Sequence, residues 1–62
     1  MKILITMIND KEYEYEVPEA ELFNTASFED WANCCMPVRG YFLISEKTMI
    51  NASNIIDIKR LS

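Results

Sequence analysis

Lys2-Ile3-Leu4-Ile5-Thr6-Met7-Ile8, then Asn9-Asp10-Lys11, then Glu12-Tyr13-Glu14-Tyr15-Glu16-Val17, is the stretch whose reading decides the fold. Its last six residues alternate strictly. Tyr13, Tyr15 and Val17 share one face of an extended chain, and Glu12, Glu14 and Glu16 share the other. That period of two marks a half-buried strand with one wet side. The first run is apolar on both faces, with Ile3, Ile5 and Met7 on one and Leu4 and Ile8 on the other. Such a strand lies inside a sheet or is covered twice. Asn9-Asp10-Lys11 has the composition of the intervening turn.

Burial selects the register. A two-residue loop would place Ile5 and Met7 on the glutamate face. A three-residue loop, Asn9 to Lys11, gathers Ile3, Ile5, Met7, Tyr13, Tyr15 and Val17 on one face. A slip of one residue exchanges the faces, so the odd loop is expected. Loops of that kind end on a left-handed residue and no glycine stands here, so strain or a longer bulged loop is expected as well.

Working outward, Pro18 stops the second strand, and residues 19–26 read as a connection with Leu22 and Phe23 tucked beneath it. Ser27, with Asp30 three residues on, resembles a capping box and opens a helix. Phe28, Trp31, Ala32 and Cys35 recur at helical spacing, giving that helix one apolar face. Pro37 ends it near Met36. So short a helix is marginal alone and must lie on the sheet, with Trp31 as its anchor. Gly40, the only glycine, is expected to hold a backbone conformation that other residues resist. Residues 41–45 and 48–51 read as strands joined by a tight turn at Glu46-Lys47. Asn51-Ala52-Ser53-Asn54 reads as a local turn. Residues 55–61 form a last strand, with Ile56 and Ile58 inward and Asp57 and Lys59 outward.

The expected fold is therefore a single α+β domain over residues 1–62. Its order is β-β-α-β-β-β, a small and strongly curved antiparallel sheet or open barrel with one short helix. The polar turn before the final strand, over roughly the last 24 residues, resembles the way small SH3-like and Sm-like barrels finish. That resemblance implies a curved sheet and no particular activity.

Composition narrows the function. The chain has 62 residues, half of them apolar, with ten acidic and six basic side chains and a net charge of −4. A domain this small buries only about 60% of the surface its unfolded chain exposes, and usually needs a staple. Cys34 and Cys35 are adjacent and close no useful loop; Cys35 reads as a small core residue and Cys34 as a boundary one. There is no histidine, and the carboxylates follow no metal-loop spacing, so no metal or other cofactor is expected. The remaining aid is another subunit, and a homodimer or higher homo-oligomer is expected. No apolar run is long enough to span a membrane. The start of the chain does not read as a signal peptide, so a reducing, cytoplasmic setting is expected.

No catalytic residue is expected. Without histidine there is no Ser-His-Asp or Cys-His arrangement. Glu12, Glu14 and Glu16 lie side by side on a solvent face where nothing separates their protonation behaviour. One glycine cannot form a phosphate-cradling loop. The acidic balance disfavours nucleic acid and anionic membranes, which demand clustered Lys and Arg. The candidate partner-binding residues are Glu12, Glu14 and Glu16 as an acidic strip, Leu22 and Phe23 as an apolar anchor, and Arg39 with Tyr41 as a planar fork beside an aromatic ring.

The first functional expectation is a non-enzymatic interaction module that meets an unidentified protein partner as a small homo-oligomer. In size and style the chain resembles the accessory proteins carried by phages and prophages, of inhibitor or adaptor type, including those that block host defence. The alternative is small-ligand or nucleic-acid binding by a curved sheet through Arg39, Tyr41, Lys59 and Arg60, with Lys2, Lys59 and Arg60 forming a basic patch if the first and last strands are neighbours.

Overall fold

A computed structural model describes residues 1–22 and 27–62; Phe23, one of the candidate anchors, lies outside them. Strands β1 (Lys2–Met7), β2 (Glu12–Glu16) and β5 (Ile55–Arg60) form one antiparallel sheet in the order β2-β1-β5. Strands β3 (Tyr41–Ser45) and β4 (Thr48–Asn51) form a second, two-stranded sheet. Helix α1 (Glu19–Leu22) and helix α2 (Phe28–Cys35) fall between β2 and β3, and a 3-10 turn (Ala52–Asn54) joins β4 to β5. The domain is thus small and α+β. Among the described residues no strand ladder links the two sheets, so they do not close into a barrel.

The doubly apolar run takes the central position, β1, paired on both sides. Its register with β2 sets Ile3 opposite Tyr15 and Ile5 opposite Tyr13, which unites the apolar face as burial requires. The loop itself is shifted by one residue from the expected Asn9–Lys11. The Met7 N–H donates to Lys11 O and the Asp10 N–H to Met7 O, so Ile8, Asn9 and Asp10 make the turn and Lys11 returns to the ladder. Asp10 supplies the left-handed residue, at φ 68°. Aspartate is among the few residues other than glycine that tolerate that region. Ile8, expected in the strand, is in the turn and 67% exposed.

The last strand departs from plain alternation. Its pairing with β1 runs Ile5 opposite Ile58 and Thr6 opposite Asp57, then jumps to Met7 opposite Ile55. Ile56 is the extra residue of a bulge. A bulge leaves one residue unpaired and rotates those beyond it. Ile55 and Ile58 therefore point inward, while Ile56, expected inward, is 59% exposed.

Ile3, Ile5, Met7, Val17, Trp31, Ile50 and Ala52 form the buried core. Ser27 caps α2 as expected, its Oγ accepting from the Asp30 N–H at 3.2 Å. The helix lays Trp31 fully under the sheet, flanked by half-buried Phe28, Ala32 and Cys35. Cys35 is thus less deep than a core residue, and Cys34 is exposed. The expected connection over 19–26 begins with the four-residue turn α1, whose Leu22 is half-buried against the core. Gly40 adopts φ 84°, the left-handed conformation at the entry to β3.

Candidate interaction surface

Both sheets turn their inner faces to the same core. Tyr15 of β2 meets Phe42 of β3 edge to face, with ring centroids 4.9 Å apart, and Tyr15 also stacks on Trp31 at 6.4 Å. The Trp31 indole N–H donates to Glu21 Oε1 at 2.9 Å, which ties α1 to α2. This aromatic group is sealed rather than presented, so Trp31 packs the interior. Burial first, then the Glu21 carboxylate and the Cys35 thiol, push the Tyr15 phenol above its ordinary value. Burial, Glu21 and Cys34 in turn raise the Cys35 thiol. A raised thiol is a poor nucleophile at neutral pH.

The outer faces differ in chemistry. On the three-stranded sheet, Glu12, Glu14 and Glu16 make an exposed row along β2. Glu14 lies across Leu4, and Leu4 lies across Lys59; Glu16 lies across Lys2. On the two-stranded sheet the outer face carries Tyr41, Leu43 and Met49, which are 72%, 55% and 62% exposed. Leu43 and Met49 are direct cross-strand partners, with Tyr41 diagonal to Met49. The Tyr15–Phe42 contact joins the two sheets on their inner faces.

Of the residues proposed from sequence, Glu12, Glu14, Glu16, Arg39 and Tyr41 are exposed. Leu22 is half-buried and packs against the core. The first and last strands are neighbours, but the basic patch does not assemble. Arg60 is opposite Ile3, on the other face of the sheet from Lys2 and Lys59, and its Nε donates to Ser62 O at 2.8 Å. Leu43 and Met49 were missed in the sequence as surface residues. Their signal is that Tyr41-Phe42-Leu43-Ile44 is apolar at every position, although only one face of a two-stranded sheet can meet the core.

An open groove of about 530 Å³ lies between the segment after α2 and the β4–β5 connection, lined by Met36, Pro37, Val38, Ile55 and Ile56 among others. None of Arg39, Tyr41, Lys59 or Arg60 lines it. Among the described residues there is no group of three or more His, Cys, Asp or Glu placed to hold a metal ion. No helix among them is long and apolar enough to cross a membrane. Comparison with known proteins yields no matching family model, no matching curated protein and no matching solved structure.

Proposed function

We propose that the chain is a non-enzymatic interaction module, a small homo-oligomer that offers an apolar patch and an acidic row to a protein partner. The observation that carries the reading is the uncovered face of Tyr41, Leu43 and Met49 on the two-stranded sheet, with Glu12, Glu14 and Glu16 exposed in a row on the three-stranded one. A fitting partner has an apolar area for the patch and Lys or Arg for the acidic row, which steers such a surface.

The free thiols of Cys34 and Cys35 support a reducing, cytoplasmic setting. The 3-10 turn before β5 supports viewing the two sheets as halves of an open, SH3-like barrel. The size and acidity of the chain agree with an inhibitor or adaptor of the phage accessory type.

Size-exclusion chromatography with light scattering tests the reading. An assembly mass above 7.3 kDa that is indifferent to added DNA, RNA and nucleotides is expected. A monomer at every concentration contradicts the homo-oligomer. A salt-sensitive shift with nucleic acid favours a curved-sheet nucleic-acid binder instead.

A further inference from the structure

We infer that two copies join along the free edge of β4, by antiparallel pairing about a twofold axis at Ile50, into a four-stranded sheet ordered β3-β4-β4-β3. The inference rests on the homo-oligomer proposed above and names its contact.

The phase of the ladder carries it. The Ala52 N–H donates to Gly40 O at 2.7 Å. That pair continues the register of Tyr41 with Asn51, Phe42 with Ile50 and Leu43 with Met49. Bonded and non-bonded pairs alternate along an antiparallel ladder. Phe42 and Ile50 are therefore a bonded pair, and the backbone groups of Met49 and Asn51 point away from β3, out of the far edge of β4. No other strand among the described residues pairs with that edge.

The other free edges are guarded. β2 carries Glu12, Glu14 and Glu16. β5 carries Asp57, Lys59 and Arg60 and the bulge at Ile56. The far edge of β3 lies toward β2, where Phe42 meets Tyr15. Charges, bulges and covering neighbours are the devices that keep strand edges from pairing with other chains. β4, Thr48-Met49-Ile50-Asn51, has none of them: no charge and no proline, and the irregularity of its hairpin falls in β3, between Leu43 and Ser45.

The edge is also self-complementary. With the axis at Ile50, Met49 of each copy lies opposite the partner's Asn51. Each such pair exchanges two bonds; the Asn51 carbonyl, which as N-cap also takes the first bond of the 3-10 turn, accepts the partner's Met49 N–H through its second lone pair. A twofold contact needs the same patch on both subunits, and this edge meets that requirement without moving the intramolecular ladder. The pairing leaves the outer face of β3 and β4 uncovered and aligns two sets of Tyr41, Leu43 and Met49 into one stripe for the partner protein.

Edge and face are separated by two substitutions. Met49→Pro removes an outward N–H that no intramolecular bond uses, a position where proline is tolerated on an edge strand. Leu43→Lys charges the apolar face and leaves the edge intact. Light scattering should give a dimer for the wild type and Leu43→Lys, and a monomer for Met49→Pro, with the fluorescence of buried Trp31 reporting that the variant is folded. A dimeric Met49→Pro, or a monomeric Leu43→Lys, overturns the edge contact while leaving the homo-oligomer standing. A monomeric wild type overturns both. If Met49→Pro does not fold, amide exchange of the wild type decides. The Met49 and Asn51 amides should exchange at least tenfold faster on dilution below the dissociation range; rates independent of concentration overturn the inference.

Discussion

The two sheets pose the same problem and answer it differently. Each has one face on the core and one face outside. The three-stranded sheet lines its outer face with Glu12, Glu14, Glu16, Lys2, Asp57 and Lys59 around half-buried Leu4 and Thr6, and exposes Ile56 at its bulge. The two-stranded sheet covers its outer face with Tyr41, Leu43 and Met49. A lone hairpin is at best marginally stable in water, so β3 and β4 depend on Phe42, Ile44 and Ile50 packing inward. Their outward apolar residues add nothing to that packing. The contrast teaches that the first sheet is finished as a surface and the second is not, and the unfinished one also holds the unguarded edge.

Breaking the shared core should erase the contrast altogether. Trp31 is fully buried beneath both sheets, so Trp31→Ala should cost about 3–5 kcal/mol. That is comparable with the whole stability expected of so small a domain, and urea unfolding or far-ultraviolet circular dichroism should find the variant largely unfolded. A cooperative, fully folded variant would place the ring outside the core.

The entrance to the unfinished sheet should be less sensitive. Gly40 has φ 84° and open space where a Cβ would stand. Gly40→Ala should therefore cost about 1–2 kcal/mol through backbone strain alone, read as a lower urea midpoint with an unchanged slope. A neutral outcome would mean the turn relaxes out of the left-handed region.

Alkaline titration sharpens the junction between the sheets. The Tyr15 phenol is held above its ordinary value of 10.0, first by burial and then by Glu21 and Cys35. A folded-state value above the unfolded one favours the protonated form in the fold. Its contribution is intact below pH 10 and is lost as the pH rises beyond it. Tyr15→Phe should flatten that alkaline decline in the unfolding midpoint; an unchanged profile would assign the decline to other groups.

The smallest effect belongs to the outer face. Leu43→Lys should change monomer stability by no more than about 0.5 kcal/mol, as for ordinary surface sites. A loss of several kcal/mol by chemical denaturation would show that this side chain is buried in the native assembly.

Much of the architecture was legible in the sequence because local rules agreed with burial. The alternation of residues 12–17, the Ser27 cap, the helical spacing of Phe28, Trp31, Ala32 and Cys35, and the left-handed Gly40 all name their own elements. What was not legible depends on register. The bulge at Ile56 has no glycine to mark it, and it moves Ile55 inward and Ile56 outward only because β5 must follow β1 on one side. The loop shift to Ile8–Asp10 rests on Asp10 tolerating a left-handed turn, which a glycine-based rule does not anticipate. The acidic row was visible as a pattern of two. The apolar patch was not, because residues 41–44 are apolar throughout and only the pairing of β3 with β4 shows which of them face water.

The dependence of the melting midpoint on protein concentration tests most directly whether association between copies completes this fold. If copies bind through the native state, mass action raises the midpoint at every tenfold step from micromolar to millimolar protein. A midpoint that stays constant over that range would contradict the account.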